Sequence, residues 1–291
     1  MNIVRSRKIF YIFSGILFCL SIASLAVYGL NLGVDFRGDS LLDVEYKNIA
    51  LSADDARSAA EGGGAVVTSI EKKSDTRFLI RMDYLTEDGH QKVLEALRLK
   101  GEIEEKSFIS TGPSVGRELR RNAIIAIILA LVAIIIYIAF AFRKVSRPVS
   151  SWIYGVIAIV ALLHDVFVPT GLFSFLRIQI DSLFVTALLT VLGFSVHDTI
   201  VVFDRIRENL RKSTSGNFEE LVGKSVNETI TRSINTSLTT VLSLTAIYFF
   251  GGVTTKNFAL ALIMGIIIGT YSSIFIASPL LVSYEKWRRK K

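Results

Sequence analysis

The stretch LFVTALLTVLGFSVHDTIVVF, residues 183–203, is apolar over a length that crosses a bilayer, yet it carries His197 and Asp198. A spanning helix needs about 20 mostly apolar residues. A carboxylate at the centre of such a helix costs roughly 2.5–3.5 kcal/mol even on the lenient insertion scale, and so tends to face a bundle interior or a water path. The stretch therefore reads as a membrane span bearing a functional acid, with Asp198 the first candidate residue. At 3.6 residues per turn, Val191, Ser195, Asp198 and Val202 share a face, and His197 points about 100° away. That spacing places the Ser195 hydroxyl near the Asp198 carboxylate. A structural ion pair or an N–H acceptor between helices is the competing reading of Asp198. For His197, a proton relay and a simple interhelical hydrogen bond stand level.

Five further stretches have similar length and hydropathy: residues 9–30, 123–142, 152–173, 232–250 and 258–284. The stretch 232–250 is the weakest, because Thr236, Ser237, Thr239, Thr240, Ser243 and Thr245 dilute it. With 51% hydrophobic residues and a mean hydropathy of +0.49, the chain falls in the membrane class. The formal net charge of +7 follows the spans. Arg5, Arg7 and Lys8 precede the first. Arg143, Lys144 and Arg147 fill a short connection, and Arg205, Arg207, Arg211, Lys212 and Lys224 a longer one. Lys286, Arg288, Arg289, Lys290 and Lys291 end the chain. This is a positive-inside pattern, which argues against nucleic acid as the partner. Six crossings from a cytoplasmic N-terminus (1–8) return a basic tail (285–291) to the cytoplasm. The first apolar run is too long for a signal peptide and lacks a clear small-residue cleavage site, so a retained helix is expected. The single Cys19 lies inside that run and forms no intrachain disulfide or cysteine metal cluster.

Residues 31–121 form a polar interval large enough for a small extracytoplasmic domain. Strand-like alternation at 41–46, a capped helix from Ser52 stopped by Gly62-Gly63-Gly64, strands at 65–72 and 77–84, a helix over 87–99 and a strand at 102–110 follow in order. The order β-α-β-β-α-β fits a ferredoxin-like α+β sandwich, a fold that carries no function by itself. Between the fourth and fifth spans, residues 205–231 read as a cytoplasmic loop. Phe218, Leu221, Val222 and Val226 line one face of an amphipathic helix lying at the interface.

Arg232, Thr236, Thr239 or Thr240, and Ser243 make a polar stripe along the fifth span. Arg232 and Asp198 both lie in the cytoplasmic halves of their helices and can meet at similar depth. A pair that opens and closes would switch its affinity for a proton, as a pump requires, although Arg232 near a helix start also snorkels readily to the interface. His164 and Asp165 extend a hydrated path or, slightly favoured, act as a packing pair. Gly265, Gly269 and Ser273, with Ala277 next, repeat every four residues in the sixth span and predict close helix packing. Phosphate-binding loops, paired-histidine zinc motifs and glycine-flanked serine nucleophiles are absent from the sequence, which argues against a conventional enzyme and against a bound metal.

The run from Gly193 to Asn209, with Asp198-Thr199-Ile200-Val201-Val202 and then Asp204-Arg205-Ile206-Arg207-Glu208-Asn209, resembles the SecD/SecF family of the bacterial Sec export machinery, in particular its SecF branch. Gly33-Val34-Asp35-Phe36-Arg37-Gly38, Gly112-Pro113-Ser114-Val115-Gly116 and His164-Asp165-Val166 resemble further motifs of that family, which belongs to the resistance-nodulation-division superfamily. The resemblance covers essentially the whole chain. It implies half of a twelve-helix unit completed by SecD, in the bacterial inner membrane with both termini cytoplasmic. It also implies use of the proton motive force, with no cofactor, to pull preproteins through the SecYEG channel late in export, and YajC and YidC are further partners it suggests. Within that reading Asp198 and Arg232 belong to the proton-transfer site, and His197, Ser195, Asp165 and His164 are secondary candidates. Asp39 stands where the family usually has a second glycine, and His197 where asparagine is common. A small-molecule exporter half of the same superfamily and a structural assembly factor of the channel are the alternatives.

Overall fold

The computed structural model describes residues 3–47, 49–142, 149–212 and 217–290. Arg143, Lys144, Arg147 and Lys291, and residues 213–216 of the expected loop, lie outside the described residues. In chain order the elements are α1 (Arg7–Tyr28), α2 (Val34–Arg37), β1 (Asp39–Tyr46), α3 (Ala53–Gly62), β2 (Val67–Lys72), β3 (Arg77–Asp83), α4 (Glu87–Arg98) and β4 (Ile103–Ser110). There follow α5 (Pro113–Ala141), α6 (Ser151–Phe175), α7 (Ser182–Lys212), α8 (Phe218–Phe250), α9 (Val253–Ser272) and α10 (Ser278–Lys290). Six helical segments among the described residues are long and apolar enough to cross a membrane, α9 and α10 counting as one. The chain divides into two compact units, Leu32–Ile124 and the remainder.

The smaller unit is an antiparallel sheet of order β2-β3-β1-β4 with two helices, the α+β sandwich expected from the strand and helix order. Alternation decides its core. Leu42, Val44, Tyr46, Phe78, Ile80 and Met82 leave one side of the sheet and pack with Ala56, Ala60, Val93, Leu94 and Leu97 of α3 and α4. Caps fix where those helices begin. The Asp55 N–H donates to Ser52 Oγ at 3.1 Å and the Gly89 N–H to Thr86 Oγ1 at 3.4 Å.

The other side of the sheet holds two ion pairs, one half-buried and one buried. Arg77 donates to both carboxylate oxygens of Asp43, at 2.9 and 2.7 Å. Arg81 Nη1 reaches Asp39 Oδ2 at 3.2 Å and the Leu32 carbonyl at 3.3 Å. Asp39, the departure from the family pattern, thus opens β1 with its charge matched by a neighbouring strand. Before it, Gly38 takes a left-handed φ of 77°. A Cβ there would lie 2.5 Å from Pro113 Cα, and one on Gly116 would lie 2.9 Å from the Gly38 nitrogen. The two glycine motifs flanking the domain therefore touch backbone to backbone, and only glycine fits the junction.

In the larger unit, α6, α7 and α9 bury about half of their apolar length, whereas α5 buries very little of it and α1 and α8 only a small part. Close approach explains the packing of α7 on α9. A Cβ on Gly265 would collide with the Val191 side chain, and one on Gly269 would sit 3.0 Å from Ser195 Cβ. The helix between α9 and α10 widens into a π-helical turn at Ser273–Ala277.

One expectation needs correction. The segment after Asn217 is not a separate interfacial helix but the start of α8, which continues unbroken to Phe250. Asn217 caps it, its Oδ1 accepting the Glu219 N–H at 3.1 Å, and no proline or glycine interrupts the run from Lys224 onward. Its apolar face still packs inward: Phe218, Val222 and Val226 are buried. Residues 205–212 likewise continue α7 rather than forming loop. An ionic knot holds these extensions together. Arg205 bridges Glu208 and Glu228 at 2.5 and 2.6 Å, and Glu219 meets Arg7 at 2.6 Å and also Lys286.

Candidate functional site

Among the described residues, two aspartates are buried inside the helical unit, each accepting from at least one serine hydroxyl. Asp165 of α6 is completely buried. Its Oδ2 accepts from Ser195 Oγ at 2.5 Å and from Ser272 Oγ at 2.7 Å, and its Oδ1 lies 3.2 Å from His164 Nδ1. Three helices, α6, α7 and α9, therefore converge on one acid. The π-helical turn follows directly. Ser273 Oγ lies 2.8 Å from Thr199 Oγ1 and 3.3 Å from the Ser195 carbonyl, and Ser278 Oγ donates to the Ser273 carbonyl at 3.0 Å. A π turn leaves backbone carbonyls imperfectly paired and is frequent at functional sites. Here one of its carbonyls is taken up by Ser278.

Asp198 of α7 sits one turn further along the helix and is also buried. Its Oδ1 accepts from Ser233 Oγ at 2.7 Å. Its Oδ2 is enclosed and has no hydrogen-bond partner among the described residues. From Ser233 the polar path runs to Ser237, whose Oγ bonds the Ser233 carbonyl at 2.9 Å and lies 2.5 Å from Thr270 Oγ1 of α9. A buried acceptor satisfied on one side only has room for a proton on the other.

Several placements differ from the sequence expectation. Ser195 does not serve Asp198. It turns across the bundle to Asp165 of α6, beside the close approach of α9 at Gly269. Arg232 is exposed and forms no ion pair with Asp198. The next residue, Ser233, is the one that faces the acid, since adjacent positions diverge by about 100°. His197 is exposed for the same reason. His164 is buried against Asp165, and its Nε2 has no hydrogen-bond partner among the described residues. The hydroxyls that complete the two clusters, Ser233, Ser237, Thr270, Ser272 and Thr199, were not among the sequence candidates. The only signal available was the excess of Ser and Thr in the fifth and sixth spans.

Comparison with known proteins agrees with this architecture. Residues 91–287 match the family described as protein export membrane protein SecD/SecF, C-terminal, and residues 23–48 match the SecD/SecF GG motif. A relative named protein translocase subunit SecF from Thermobaculum terrenum is 46% identical, with 98% of this chain and 94% of that one aligned. Its namesake from Anaerolinea thermophila is 40% identical over 99% and 96%. The crystal structure of SecDF from Thermus thermophilus, described as a translocon-associated membrane protein, superposes with a TM-score of 0.84 at 31% identity. It covers 98% of this chain, which spans 39% of that longer one. With six apolar helices, a small sheet domain, both family motifs and near-full-length relatives, the chain belongs to the SecD/SecF family of protein export membrane proteins and is a translocase subunit of the SecF type.

Proposed function

We propose that this chain is the proton-coupled half of a SecD-paired unit in the bacterial cytoplasmic membrane, with both termini in the cytoplasm. The unit uses the proton motive force to drive late, ATP-independent steps of preprotein movement through the SecYEG channel. The observation that carries the reading is the Asp198 carboxylate, buried in a spanning helix with one oxygen bonded to Ser233 and the other without a hydrogen-bond partner among the described residues. Relatives named SecDF, in which a chain like this one occupies 35–38% of a longer polypeptide, support the pairing with SecD.

In this reading Asp198 takes up a proton from one side and releases it to the other. Ser233 holds the carboxylate in place, while Arg232, one residue away on α8, approaches the acid in the alternate state. One charge crossing the membrane supplies about 2.3 kcal/mol per 100 mV, enough to bias a two-state motion against a trapped polypeptide. Asp198→Asn is the test, in membrane vesicles holding a half-translocated substrate. The variant assembles normally with its partner but loses potential-dependent release. Release at the wild-type rate refutes the proton role. Unimpaired export after neutralising both Asp198 and Arg232 leaves only a structural role in channel assembly.

A further inference from the structure

Away from both carboxylates, α1 and α6 enclose a groove of about 480 Å3. Its floor is the contact of Ser21 with Gly171, so tight that a Cβ on the glycine would collide with the serine. Leu17, Leu20, Val27 and Leu172 form walls that are almost wholly apolar. On α1 the lining runs from Leu17 to Tyr28, about 16 Å at 1.5 Å per residue. One leaflet of a hydrocarbon core about 30 Å thick has the same depth. In length and in its apolar lining the groove therefore suits a hydrocarbon chain lying within one leaflet.

Its end is polar and positively charged. The Tyr28 and Phe175 rings meet edge to face with centroids 6.1 Å apart, and the Arg177 guanidinium lies 5.1 Å from the Tyr28 ring centroid. Arg177 also donates from Nη1 to the Tyr28 carbonyl at 2.6 Å. Its backbone is unusual, being the one non-glycine residue with positive φ, 56°, among the described residues. It closes α6 in the left-handed position, with the Ile178 N–H on the Phe173 carbonyl at 3.0 Å and the Arg177 N–H on the Ser174 carbonyl at 3.2 Å. Glycine is the ordinary occupant of that position, and a residue with a side chain is disfavoured there. An arginine held so, over an aromatic ring at the end of a leaflet-deep apolar groove, matches an anionic headgroup above an acyl tail.

We propose that the α1–α6 groove is a binding site for an anionic diacyl phospholipid, one acyl chain lying along α1 and the phosphate paired with Arg177. The test uses the full-length chain in nanodiscs of equal phosphatidylglycerol and phosphatidylcholine, transferred to detergent, with retained lipid measured by native mass spectrometry. Wild type retains phosphatidylglycerol in several-fold excess. Arg177→Gly removes the cation and relaxes the backbone, so the fold is kept while the excess falls to parity. Ala23→Phe fills the groove and lowers retention of both lipids. Equal retention by wild type, or an undiminished excess in Arg177→Gly, overturns the proposal. So does an Ala23→Phe variant that keeps its lipid but loses a co-purifying protein, which would assign the groove to a partner helix.

Discussion

Asp165 and Asp198 are the same residue type in adjacent helices, yet hydroxyl donors treat them differently. Asp165 has two serine donors and a histidine beside it, so it behaves as a structural acceptor joining three helices. Hydrogen bonds between membrane helices average about 0.6 kcal/mol and reach about 1.7 kcal/mol. Ser272→Ala is therefore expected to lower stability by about 1 kcal/mol. Asp165→Ala strands two donors and is expected to cost more than Asp165→Asn, which keeps an acceptor oxygen. Thermal unfolding in detergent checks the order. In the small unit, burial against α4 pushes the Tyr46 phenol up to about 12 from its ordinary value of 10.0. The folded state thus prefers the neutral phenol. Its contribution is complete below pH 10 and is lost as pH rises through 12. Tyr46→Phe is expected to flatten that alkaline decline, followed by circular dichroism against pH. Both acids were legible in the sequence because a carboxylate in an apolar run is conspicuous. Ser233 and Ser272 were not, since a serine in a helix is unremarkable until the neighbouring helix supplies its depth and angle.

At the scale of elements, small residues set how closely helices meet. Gly265→Val is expected to force α9 from α7, because even a single Cβ collides with Val191, and Val191→Ala should recover much of the loss. A double-mutant cycle on unfolding measures the recovery. In the small unit Gly38→Ala meets two obstacles at once, a left-handed φ and the Pro113 backbone. The expected cost is at least about 1–2 kcal/mol, read from thermal unfolding. The four-residue spacing of Gly265, Gly269 and Ser273 was visible in the sequence, as were the strands and helices of the sheet domain. The continuity of α8 was hidden. Lys224 and Glu228 look like part of an interfacial segment when read by hydropathy, and only the ion pairs of Glu228 and the buried Val222 and Val226 tie that segment to the long helix. The π turn has no sequence signature, because Ser272 and Ser273, which bond across to α6 and α7 at its start, read as ordinary helical serines.

For the whole molecule, hydropathy alone made the six apolar helices and the intervening sheet domain legible. It did not separate helices that pack with one another from those that do not. The polar stripe of α8, with Arg232, Thr236 and Thr239, is exposed, and α5 shows apolar residues almost throughout. Under the proposed pairing with SecD, a cysteine at Thr239 in a Cys19→Ala background is expected to react with a membrane-permeant maleimide in the isolated chain and to be protected in the complex. Equal labelling in both would place the partner on another face.

The glycine junction at Gly38, Gly112 and Gly116 has one more consequence. Just beyond it the Thr111 N–H donates to the Asp39 carbonyl at 3.0 Å, and Ser40 and Ser110 hydroxyls lie 2.8 Å apart. The polypeptide therefore comes into the sheet domain and goes out of it through a single doorway. An insert whose two ends already meet is a cassette: it can be lengthened, shortened or exchanged for another fold with matching ends while the helices on either side keep their sequence spacing to that doorway.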